Sequence, residues 1–119
     1  MQRILYVEDN ADTREVVKLL FRESYYDVVM VEDVRAAIMA AKSAAFDLYL
    51  VDYWLGQGGD GIDFCWEIRK FDSTTPILFY SADYQSDKDA PSGAGAQAYL
   101  SKPAGIKDLL REVQRLLSS

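Results

Sequence analysis

The sequence predicts an α/β domain in which a five-stranded parallel sheet is wound on both faces by helices. Five short apolar runs alternate along the 119 residues with stretches whose apolar positions recur at helical spacing. The most apolar run, Leu48-Tyr49-Leu50-Val51, has no polar face, as expected of a strand buried on both sides. Several runs also stop abruptly on a chemistry-bearing side chain, here Asp52. That pattern places those groups at the carboxyl edge of the sheet, where the loops of an open parallel sheet form a crevice.

Each element can be justified in turn. Ile4 to Val7 forms the first strand and ends on Glu8-Asp9-Asn10. Asn10 or Asp12 can cap a helix with Val16, Val17, Leu20 and Phe21 inward and Arg14, Glu15, Lys18 and Arg22 left to solvent, ending near Glu23. Ser24-Tyr25-Tyr26 lacks the glycine common after a helix, so another device must turn the chain into the second strand, Val28 to Val31. Asp33 is the expected cap of a second helix with Val34, Ala37, Ile38 and Ala41 on one face, and Glu32 is read as surface. The third strand ends at Asp52. A glycine-rich loop follows, and a third helix from about Gly61 turns Phe64, Cys65 and Ile68 inward.

Ser73-Thr74-Thr75-Pro76 breaks the chain before a fourth strand, Ile77 to Tyr80, which ends on Ser81. Between Ala82 and Gln97 there is no Leu, Ile or Val, and Pro91, Gly93 and Gly95 disfavour a long helix, so a short or irregular fourth helix is expected. Ala98 to Leu100 is a brief fifth strand before Ser101-Lys102-Pro103. The last helix has the clearest stripe, with Ile106, Leu109, Leu110, Val113, Leu116 and Leu117 on one side.

Composition bounds the function. The length fits one domain, residues 1–119, and half of the residues are apolar, so folding needs no staples. A single Cys65 excludes an internal disulfide, and the lack of His removes the usual zinc constellations. A cytoplasmic location is expected, since no apolar run approaches the roughly 20 residues that span a bilayer and the first residues do not read as a signal peptide. With a net charge of −6 and no basic stripe, direct nucleic-acid binding and membrane association are not expected.

The strand tips bring together Glu8, Asp9, Asp52, Ser81 and Lys102. Three carboxylates held close repel one another, and a hard divalent cation with oxygen ligands relieves this; Mg²⁺ suits one or two carboxylates together with phosphate oxygens. A carboxylate beside Mg²⁺, a hydroxyl and a lysine is a toolkit for phosphoryl transfer. Asp52 can attack phosphorus in line, Lys102 and the metal take two phosphoryl oxygens, and Ser81 donates to the third.

This ordered set resembles the receiver domains of bacterial two-component response regulators, the family of the chemotaxis regulator. The resemblance covers essentially the whole chain. It rests on Glu8-Asp9, Asp52, Gly59-Asp60-Gly61, Ser81-Ala82 and Tyr99-Leu100-Ser101-Lys102-Pro103. It implies a flavodoxin-like (βα)5 fold with strand order 2-1-3-4-5 and Asp52 as phosphoacceptor. Asp9, Asp52 and the Trp54 carbonyl would ligate Mg²⁺ directly, Glu8 would hold it through water, and Lys102 and Ser81 would bind the phosphoryl group. It further implies a switch in which Ser81 moves toward the phosphoryl group and the Tyr99 side chain turns inward. The implied partners are a histidine kinase or histidine phosphotransfer protein upstream and a protein effector downstream. The protein would be a self-catalysing phosphoacceptor in a phosphorelay rather than an enzyme acting on other molecules.

Two features depart from the family pattern. Gly56 stands where proline is usual, and the loop from Asp52 to Gly61 is one residue longer than is common. Trp54 and Asp83 occupy the positions that resemble those controlling the lifetime of the phosphorylated state. Two other functions compete: a phosphorylation-independent interaction module, and a Mg²⁺-dependent phosphohydrolase, which would need an acid/base Asp where Trp54 stands. A homodimer through the last helix or the fifth-strand face is compatible with the sequence, although core burial explains Leu116 and Leu117 equally well.

Overall fold

The computed structural model describes residues 1–52, 61–81, 98–101 and 106–118. Along the chain these form β1 (Arg3–Val7), α1 (Ala11–Phe21), β2 (Asp27–Val31), α2 (Val34–Ser43), β3 (Leu48–Val51), α3 (Gly61–Arg69), β4 (Ile77–Ser81), β5 (Ala98–Ser101) and α4 (Ile106–Leu117). All five strands lie in one sheet in the order β2-β1-β3-β4-β5, and every neighbouring pair is parallel. The doubly wound arrangement expected from the sequence is the one observed.

Alternation along the strands sorts the core into two layers. Leu5, Val7, Tyr49, Val51, Ile77 and Phe79 face α2 and α3, where Val34, Ala37, Phe64, Cys65 and Ile68 cover them. Ile4, Tyr6, Leu48, Leu50, Leu78 and Tyr80 face α1 and α4, where Val17, Phe21, Leu109, Val113 and Leu116 cover them. Cys65 is fully buried in the first layer, as its position on the inward stripe predicts.

Helix α1 ends at Phe21 with Arg22 as its C-cap, close to the expected end near Glu23. It corrects the sequence-based expectation at Val16, which is 57% exposed, because the buried stripe runs through Val17 and Phe21 and Val16 lies about 100° around the helix from Val17. Ser24 supplies the turn that glycine usually makes. Its N–H and hydroxyl both donate to the Phe21 carbonyl, at 3.0 and 2.7 Å, and its Oγ accepts from the Tyr26 N–H. Helix α2 starts as expected, with the Asp33 carboxylate accepting from the Ala36 N–H at 2.8 Å. The expected fourth helix, between Ala82 and Gln97, lies outside the described residues.

The amino-terminal edge of the sheet is anchored by Asp72, just after α3. One of its carboxylate oxygens accepts from the Tyr49 hydroxyl at 2.9 Å, and the other accepts from the N–H groups of Thr74 and Thr75 at 3.2 and 3.0 Å. Burial works to raise the Asp72 pKa, but these bonds outweigh it and hold the carboxyl below its ordinary range. The turn into β4 is thereby tied to β3, far along the strands from Asp52.

Candidate functional site

The carboxyl edge is built around the tip of β1. The Glu8 N–H donates to the Val31 carbonyl on β2, and the Asp52 N–H donates to the Val7 carbonyl, both at 3.0 Å. Strand pairing therefore carries Glu8, Asp9 and Asp52 to one place, with Val7 opposite Val51 in register. Carboxylate oxygens of these three residues lie within 4.8 Å of one another. Asp9 is exposed, whereas Glu8 and Asp52 are only 1% and 8% exposed.

Glu8 is held from below and from the side. Two residues back on the same face of β1, the buried Tyr6 hydroxyl donates to Glu8 Oε1 at 3.0 Å, and the Asn10 N–H donates to Oε2 at 3.3 Å. Burial, then the neighbouring Glu8 and Asp52 carboxylates, push the Tyr6 phenol well above its ordinary pKa, so it remains a donor at any physiological pH. Asn10 also caps α1, its Oδ1 accepting from the Thr13 N–H at 2.9 Å. One turn into that helix, Arg14 donates from Nη1 to the Glu8 carbonyl at 2.6 Å.

The sequence pattern leaves Arg14 to solvent, but its side chain reaches back over the strand tip. The cause is the tilt of every helical Cα–Cβ bond toward the helix amino terminus, which here abuts β1. Glu32 does lie at the surface, 3.8 Å from Arg14. The glycine that opens α3 completes the wall. A Cβ on Gly61 would lie 2.5 Å from the Asp52 carbonyl oxygen, 2.5 Å from Phe79 Cε1 and 3.0 Å from Val51 Cγ1. Only glycine lets α3 start this close to the site.

Of the residues singled out in the sequence, the structure thus brings Glu8, Asp9 and Asp52 together. The backbones of Ser81 and Tyr99 are placed in β4 and β5, with Ser81 paired to Ser101 and Tyr99 to Phe79. Their side chains lie outside the described residues, as do Lys102, Trp54 and Asp83. Tyr6 and Arg14 are the members of the site not foreseen from the sequence. The first was legible as a residue two before Glu8 on one strand face, the second as a cation one turn into the following helix.

A close-set trio of carboxylates, two of them buried, at the carboxyl edge of a parallel sheet in the order 2-1-3-4-5 can hold a hard divalent cation. The profile of the response regulator receiver domain matches residues 4–114. The chain belongs to this family. Among solved structures, the receiver domain is similar to that of the sensor histidine kinase PA1611 from Pseudomonas aeruginosa, at 33% identity and a TM-score of 0.91, covering 99% of this chain and 98% of the other. That relative holds a magnesium ion in its active-site cleft. Another is the response regulator TrrA of Thermotoga maritima, in complex with Mg²⁺ and BeF, at 30% identity and a TM-score of 0.90, covering 98% of this chain and 100% of the other. Among curated proteins, the receiver domain is 33% identical over 118 residues to the response regulator ArlR of Staphylococcus epidermidis, which is 98% of this chain and 53% of ArlR. The chain spans about half the length of the curated relatives it matches. Among the described residues, no helix is long and apolar enough to cross a membrane.

Proposed function

We propose that this receiver domain accepts a phosphoryl group on Asp52 in a Mg²⁺-dependent reaction and passes the change to a protein partner. The observation that carries this reading is the convergence of the Glu8, Asp9 and Asp52 carboxylates at the edge of the core sheet, with Asp52 just past the end of the central strand β3. Glu8, Asp9 and Asp52, with the Trp54 carbonyl, are the residues that would hold the ion. Bound there, Mg²⁺ offsets the charge of the cluster and of the phosphoryl oxygens.

An Asp52 carboxylate oxygen attacks phosphorus, the new O–P bond forming as the P–N bond of a phosphohistidine donor breaks. The electron pair leaves with the imidazole nitrogen, giving neutral imidazole where the ring's other nitrogen carries a proton; otherwise the departing imidazolate takes a proton from water. Lys102 and Ser81 bind the transferred oxygens, and Ser81 and Tyr99 carry the switch to the output face. Attack of water on the same phosphorus later returns inorganic phosphate and the free carboxylate. The donors are a histidine kinase or a histidine phosphotransfer protein, and the output is a protein effector in the cytoplasm. The net charge of −6 supports a protein partner over direct nucleic-acid contact for this segment.

Intact-mass measurement after incubation with acetyl phosphate tests the reading. One added phosphoryl group is expected on wild type with Mg²⁺, and none with a chelator or in Asp52→Asn. Labelling that persists in Asp52→Asn, or without the metal, would contradict it.

A further inference from the structure

We infer that Arg14 is a positioning residue of the cation site, acting through the peptide that joins Glu8 to Asp9. The inference rests on the reading of the acidic cluster as a Mg²⁺ site. Arg14 Nη1 donates to the Glu8 carbonyl at 2.6 Å, and Nη2 stands 3.8 Å from Glu32 Oε2 at the end of β2. That carbonyl belongs to the planar peptide whose nitrogen is Asp9's own, so the bond restrains the plane from which the Asp9 side chain departs. Glu8 has its carboxylate held by Tyr6 and Asn10. Asp9 is the exposed member of the trio, and its Cα–Cβ bond leaves the chain directly after this restrained peptide.

Arg14 is itself well placed to impose this. Its N–H donates to the Asn10 carbonyl at 3.0 Å, making the first bond of α1, and its side chain is 22% exposed against 70% for Glu32. A charge-assisted bond to a carbonyl in this partly shielded position is stronger than the exposed pair with Glu32, which mainly aims the guanidinium.

The sign of the effect separates positioning from simple charge. A guanidinium near a cation site repels the ion through space, so losing its charge alone would tighten Mg²⁺ binding. Losing the restraint on Asp9 weakens it. Calorimetric titration of the full chain with Mg²⁺ reads the difference in wild type, Arg14→Ala and Arg14→Lys, with circular dichroism confirming the fold. Arg14→Ala is expected to raise the Mg²⁺ Kd about tenfold, the usual scale for residues behind a metal ligand. Arg14→Lys, which keeps a cationic donor, is expected to fall between Arg14→Ala and wild type, and it also serves if Arg14→Ala does not fold. Wild-type binding with an unchanged or lower Kd in the variants would overturn the inference alone. A wild type that takes up no Mg²⁺ would overturn the metal-site reading and the inference with it.

Discussion

Gly61 lies against the backbone of Asp52 so closely that a single added methyl would sit 2.5 Å from the Asp52 carbonyl oxygen. The side chains of Phe79 and Val51 close the other sides of that space, and the Asp52 contact is to backbone, which cannot yield without moving the end of β3. Gly61→Ala is therefore expected to destabilise the fold by about 1–3 kcal/mol, the usual cost of overpacking, despite the better helix propensity of alanine. It is also expected to slow labelling of Asp52 by acetyl phosphate, since the displaced backbone is that of the acceptor. Urea denaturation and a labelling time course measure the two effects; a variant as stable and as reactive as wild type would show that the contact is relieved elsewhere.

The Tyr6 hydroxyl donates to the buried Glu8 carboxylate. Removing one partner of a buried bond to a charged group costs about 1.5–3 kcal/mol. Tyr6→Phe keeps the ring in the core and is expected to lose stability of that order at pH 7, read from the urea midpoint. A change within experimental error would mean that Glu8 does not depend on this donor.

Tyr6 and Tyr49 both have phenol pKa values pushed above the ordinary value of 10.0, first by burial and then by Glu8 and Asp72 respectively. Above pH 10 the unfolded chain loses these protons while the folded chain retains them, so stability falls as pH rises. The slope approaches about 1.4 kcal/mol per pH unit for each phenol once the pH is well above 10, so each loses roughly that amount in total between pH 9 and 11. Denaturation between pH 9 and 11 should show this decline, and Tyr49→Phe should remove about half of the part due to the pair. A decline equally steep in Tyr49→Phe would contradict the assignment.

Asp72 offers the complementary test, because it sits at the opposite edge from Asp52. Its carboxyl is held below its ordinary range, so its contribution is present above about pH 4 and lost as pH falls through the folded value. Asp72→Ala is expected to cost about 2 kcal/mol at neutral pH by removing the acceptor of the Tyr49 hydroxyl and of the Thr74 and Thr75 N–H groups, and to leave labelling of Asp52 intact. Loss of labelling in a folded Asp72→Ala would mean that the two edges are coupled.

The sheet and its acidic tips were legible because burial on both faces leaves strands as apolar runs, and a run that stops on Glu8 or Asp52 marks its own end. Asp33 announced itself in the same way, as a capping residue before a helical stripe. Less legible were side chains with two roles. Tyr6 counts as core by its ring, and its hydroxyl matters only once the two-residue period of β1 is paired with Glu8. Arg14 looks solvated by composition, and Val16 looks buried. Both depend on the rotation of α1 about its axis, which is set by packing of Val17 and Phe21 against the sheet rather than by hydropathy.

The most direct test of the account is the chemical identity of residue 52 after phosphorylation. Borohydride reduces an aspartyl phosphate to homoserine, so peptide mass spectrometry of protein treated with Mg²⁺ and a phosphorylated histidine donor reads the acceptor residue by residue. The account predicts homoserine at position 52 alone, and none when Mg²⁺ is chelated. Homoserine at another aspartate, or an unmodified Asp52 in protein shown by calorimetry to bind Mg²⁺, would contradict it.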